Sequence, residues 1–139
     1  MAEILLFHHA QGQTTGFLAF ADELRAAGHI VHAPDLYDGR TFTDLKEGVA
    51  YAQEVGFGTI GERGRLAADG LPNELVYAGF SLGAMPAQML AQTRPGAKGA
   101  LLFSAAIPAS EFGASLVRPM NRPGWPKPRQ PVMTWALEV

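Results

Sequence analysis

The stretch Glu74-Leu75-Val76-Tyr77-Ala78-Gly79-Phe80-Ser81-Leu82-Gly83-Ala84 constrains this chain more than any other. An apolar, β-prone run climbs to a serine with a glycine two residues to either side, and a helix-forming segment, Met85 to Thr93, follows at once. This is G-x-S-x-G in a strand–turn–helix setting, the nucleophile elbow pattern. A serine in so sharp a turn is strained, and a side chain at Gly79 or Gly83 is expected to crowd the neighbouring strand or the following helix. The turn lifts the Ser81 hydroxyl above the sheet edge, where the helix N-terminus supplies N–H groups and positive potential. The N–H of Leu82 is the expected oxyanion donor. A chain with 16 glycines can produce such a pentapeptide by chance, so the flanking strand and helix carry the weight.

Around this stretch, strand and helix signals alternate. Ile4 to His8 is a short apolar run without helical period, as in a buried parallel strand. After the loop His9-Ala10-Gln11-Gly12-Gln13-Thr14, apolar residues from Phe17 to Leu24 recur at helical spacing, with Thr14 or Thr15 as cap and Gly28 as the stop. His29 to Ala33 reads as a second strand, and Asp35 to Arg40 as a turn-rich loop. Helices are expected over Phe42–Val55 and Thr59–Asp69, a third strand over Asn73–Phe80, a helix over Leu82–Thr93 and a fourth strand over Lys98–Ser104. The alternation predicts an α/β fold of three layers with a mostly parallel sheet, incomplete at its C-terminal side. From Gly113 onward five prolines preclude a regular helix, and Val132 to Leu137 offers at most one last strand. The expected division is a domain over 1–112 and a Pro/Arg-rich tail over 113–139.

Composition narrows the function classes. With 47% hydrophobic and 17% charged residues the chain has enough apolar side chains for a core. A net charge of −2 gives no basic footprint for nucleic acid. No cysteine is present, which removes disulfides, thiolate metal sites and a cysteine nucleophile. No apolar run reaches membrane-span length and the N-terminus lacks a signal-peptide pattern, so a soluble cytoplasmic protein is expected.

Three places together resemble the dienelactone hydrolase branch of the α/β-hydrolases. Phe7-His8-His9-Ala10-Gln11-Gly12 resembles that family's loop after the first central strand, with His9 where the family pattern has Glu. Ala33-Pro34-Asp35-Leu36-Tyr37-Asp38-Gly39-Arg40 is similar to its Pro-Asp-Leu-Tyr segment, and Gly79-Phe80-Ser81-Leu82-Gly83 matches its elbow. The likeness spans roughly residues 3 to 112. It implies an ester or lactone hydrolase acting on a small molecule, without cofactor or metal. It also implies Ser81 as nucleophile, and oxyanion donors from Leu82 and the loop at His9 and Ala10.

The departure from the family is equally plain. The family's order is nucleophile, Asp, His. Here all four histidines, at positions 8, 9, 29 and 32, precede Ser81, and the only acidic residues after it are Glu111 and Glu138. The abrupt change after Phe112 is what truncation or an out-of-frame reading produces, so 113–139 is not expected to be the family's native C-terminal part. A serine hydroxyl needs a base. His9 is either a surrogate base or a loop-shaping residue. His8 is expected to pack at the sheet end.

Asp35 and Asp38 read as turn residues before they read as an acid–base pair or metal site. His29 and His32 fall on opposite faces of one strand, which argues against a shared metal. Ending after the fourth strand is expected to leave an open edge beside Leu101–Phe103 and to favour self-association or low stability. The competing function is a catalytically inactive hydrolase-like binding domain. A dinucleotide or phosphate site is poorly supported, because neither G-x-G-x-x-G nor GxxxxGK[ST] occurs.

Overall fold

In a computed structural model, residues 1–105, Phe112, 118–119 and 135–138 are described. Strand β1 (Glu3–Phe7) leads to helix α1 (Thr15–Ala26), β2 (Ile30–His32), α2 (Leu45–Val55), α3 (Phe57–Ala68), β3 (Val76–Phe80), a 3₁₀ turn (Ser81–Gly83), α4 (Ala84–Thr93) and β4 (Gly99–Phe103). Two further strands are β5 (Arg118–Pro119) and β6 (Trp135–Glu138). The sheet order is β2-β1-β3-β4-β6-β5, with the first four strands parallel and β6 antiparallel to both β4 and β5. The expected α/β architecture with a mostly parallel sheet is present.

Alternation along the strands builds the layers. Ile4, Leu6, Val31 and Ala78 pack with Phe17 and Ala21 of α1 on one face. Leu5, Phe7, Tyr77, Ala100 and Leu102 pack on the other with Ile60 and Ala68 of α3 and Ala84, Ala87 and Leu90 of α4. Ala52 of α2 and the loop residues Leu36 and Tyr37 join that second cluster.

Two expectations need correction. The edge beside Leu101 is not open: β6 pairs along it, setting Leu101 opposite Ala136 and Leu102 opposite Trp135. Part of the expected strand over 132–137 lies at Trp135–Glu138; 132–134 fall outside the described residues, as does most of the expected irregular tail. Helix α2 starts at Leu45 rather than Phe42, because Phe42 N–H donates to Gln11 O (2.9 Å) and Asp44 caps the helix instead.

The order β2-β1-β3 has a consequence for function. From β1 the chain moves outward to β2, then passes back over β1 to enter β3, so β1 and β3 flank a topological switch point. The helices that follow them, α1 and α4, leave toward opposite faces. In open α/β sheets this divergence forms a crevice at the carboxyl ends of the strands.

Candidate functional site

Ser81 stands at that switch point, directly after the end of β3. It is exposed and has φ of 51°, one of three non-glycine residues with positive φ among those described. A serine there gains nothing locally, since the left-handed region costs roughly 1–3 kcal/mol for a residue with a Cβ. The surroundings hold it in place. A Cβ on Gly79 would collide with the carbonyl of Gly83 and lie 2.7 Å from Ala84 N. A Cβ on Gly83 would collide with His8 O and lie 2.6 Å from Phe7 O. Both crowding expectations hold, against the following helix for Gly79 and against the neighbouring strand for Gly83. The tight fit also sets the start of the helix directly against the end of β1. Among the described residues, no group hydrogen-bonds the Ser81 hydroxyl.

The facing wall is the loop after β1, and its histidines are bonded within the loops. His8 is fully buried. Its Nε2 accepts the N–H of Leu36 (2.9 Å), so its Nδ1 carries the proton and donates it to His9 O (2.7 Å). Asp35 Oδ1 lies 3.6 Å from the same Nε2. That carboxylate favours the charged ring, yet burial outweighs it and holds the His8 pKa below the usual imidazole range. Burial lowers the His9 pKa as well. His9 Nδ1 accepts Gln11 N–H (3.2 Å), which leaves Nε2–H to donate to Thr14 Oγ1 (3.4 Å). Thr14 Oγ1 in turn accepts Phe17 N–H (3.3 Å) as the cap of α1. Both ring nitrogens of His9 are thus engaged by its own loop, and none of the described hydrogen bonds joins His9 to Ser81.

Ala10 is buried, and its N–H donates to no acceptor among the described residues. Behind it the loop is pinned. A Cβ on Gly48 of α2 would strike Ala10 O, and Gln11 Nε2 donates to Thr43 O (3.1 Å).

The two aspartates serve the loop after β2. Asp35 accepts the N–H groups of Tyr37 (2.8 Å) and Gly39 (2.6 Å), the turn role expected for it. Asp38 pairs with Arg63 Nη2 (3.0 Å), while Arg63 Nη1 donates to Leu36 O (2.8 Å). This Arg63 clamp is not legible in the sequence, because a single arginine on a helix has no spacing to distinguish it. Nor does the sequence point to Thr14 as the partner of His9. His32 pairs with Glu3 and His29 accepts Ala2 N–H; no described cluster of three metal-ligating side chains exists. No helix among the described residues is long and apolar enough to cross a membrane.

No protein-family model and no curated protein matches the chain. A solved structure named m3DLH is similar, with 24% identity and a TM-score of 0.64. The match covers 77% of this chain and 49% of that one, so the chain spans about half the length of that structure. The likeness is one of fold.

Proposed function

We propose that this chain derives from ester or lactone hydrolases of the dienelactone hydrolase type, with Ser81 as the nucleophile. One observation carries the reading: a serine held at positive φ, exposed at the head of a helix and locked between two glycines that admit no Cβ. Strain of this kind is retained where the surroundings over-determine it, and it collects at reactive positions. The N–H groups of Leu82 and Ala10 are the proposed donors to the oxyanion that forms when the Ser81 oxygen adds to a carbonyl carbon. A small ester or lactone suits the switch point at which α1 and α4 diverge, and the reading requires no metal or cofactor.

A second reading has its own support. The described bonds of His9 occupy both ring nitrogens, so that ring offers Ser81 no free lone pair. A hydrolase-like domain that binds a small molecule without turning it over fits that arrangement. Labelling with a fluorophosphonate, followed by intact mass, separates the two. If Ser81 is activated, the wild type gains the phosphonyl mass and Ser81→Ala does not. A folded wild type that stays unlabelled at millimolar probe over hours would leave the binding reading in possession.

A further inference from the structure

We propose that His8 is a positioning residue that aims the Ala10 N–H at the oxyanion, a role that rests on the reading of Ser81 as nucleophile. His8 is the one buried histidine of the described chain, and the nucleophile reading gives it no task. Its two bonds fix a single tautomer. Leu36 N–H can only donate and His9 O can only accept, so the proton sits on Nδ1.

His9 O takes a second donor as well, Gly12 N–H at 3.1 Å. Two donors from different residues hold that carbonyl, and the peptide unit is planar and trans. Fixing the carbonyl therefore fixes the Ala10 N–H in the opposite direction. Ala10 is a buried residue, and its N–H has no acceptor among the described residues. Buried backbone donors are almost always paired, and leaving one unmet costs about 1–3 kcal/mol. A donor whose peptide is held by two ordered partners yet is itself left unmet is suited to a ligand oxygen. The contact of Gly83 with the carbonyls of Phe7 and His8 brings the Ser81–Gly83 turn to the same strand end.

Two isosteric variants separate the roles of the ring nitrogens. His8→Asn keeps an amide donor near Nδ1 and loses the acceptor for Leu36 N–H. His8→Gln keeps an amide oxygen near Nε2 and loses the donor to His9 O. The readout is the rate at which a fluorophosphonate labels Ser81 in the full chain, forming the Oγ–P bond as fluoride leaves and the hydroxyl proton passes to solvent. His8→Gln should label about 10²-fold more slowly than wild type, the lower end of the loss from removing one oxyanion donor. His8→Asn should stay within about 3-fold of wild type, even if it melts at a lower temperature.

Equal slowing of both variants in step with their melting temperatures, or a His8→Gln rate equal to wild type, overturns the proposal and leaves Ser81 as nucleophile. An unlabelled wild type overturns the nucleophile reading and the oxyanion role with it. Should neither variant fold, nitrogen NMR of the wild type decides. The proposal requires a protonated Nδ1 on His8 and an Ala10 amide proton that moves downfield in the phosphonylated protein. An Nε2–H tautomer or an unmoved Ala10 amide overturns it.

Discussion

His8 is neutral in the fold because burial disfavours its charge, even though Asp35 lies 3.6 Å away. Protonating it would also set a proton on Nε2 against the Leu36 N–H that now donates there. The pH dependence follows from the direction of the shift. The unfolded chain binds the proton at a pKa of about 6.5, the folded chain at a lower one. Below about pH 6.5 the unfolded state therefore holds more protons, and stability falls as pH drops toward the folded pKa. Above that window the contribution is fully present. His9 is shifted in the same direction and adds to the effect. Urea midpoints at pH 7.5, 6.5 and 5.5 should fall in that order, with each histidine contributing at most about 1.4 kcal/mol per pH unit. His8→Asn should flatten the profile, and an unchanged slope in that variant would show that His8 does not carry it. At this scale the sequence was legible where sterics speak through glycine. Gly79 and Gly83 both announce a close approach, and both are pressed against backbone. The partners of His8 and His9 were not legible, since they depend on which loops meet at the switch point.

Among the elements, α1 was legible almost to the residue, because Thr14 and Gly28 are local signals acting within one turn. Thr14 caps the helix and Gly28 leaves it at φ of 96°. The other boundaries were set from a distance. Phe42 is drawn out of α2 by Gln11, and β3 starts only at Val76 because Leu75 N–H closes a turn onto Asn73 O (3.0 Å). After Ser81 the helix begins as a 3₁₀ turn, with Gly83 against the carbonyls of β1, before α-helical bonding begins at Ala84. Thr14 belongs to helix and site together, since its hydroxyl oxygen takes Phe17 N–H and faces His9 Nε2. Thr14→Ala should cost about 1 kcal/mol in chemical denaturation, the usual cost of losing a threonine cap, while Thr14→Ser should lie close to wild type. Two variants of equal stability would mean that the cap contributes nothing measurable.

At the scale of the whole molecule, the parallel half of the sheet was foreseeable because each strand is followed by a helix, and a helical crossover returns the chain in the same direction. The antiparallel β6 was not. Alternation within Val132–Leu137 reads the same in either direction, so a short final run carries no sign of its polarity. The structure sets that strand on the β4 edge, opposite Gly99 through Leu102. Its place there changes what should be expected of association. Leu101 is 36% exposed and lies in the strand that an absent β6 would leave unpaired. An unpaired edge with an apolar side chain is a template for pairing with another chain. A chain ending at residue 131 should therefore associate with rising concentration in sedimentation velocity and unfold at lower urea than the full chain. The full chain, with its β4 edge occupied, should sediment without that dependence. If the shortened chain sediments and unfolds as the full chain does, β6 neither protects the edge nor stabilises the sheet, and the α/β core stands on its first four strands alone.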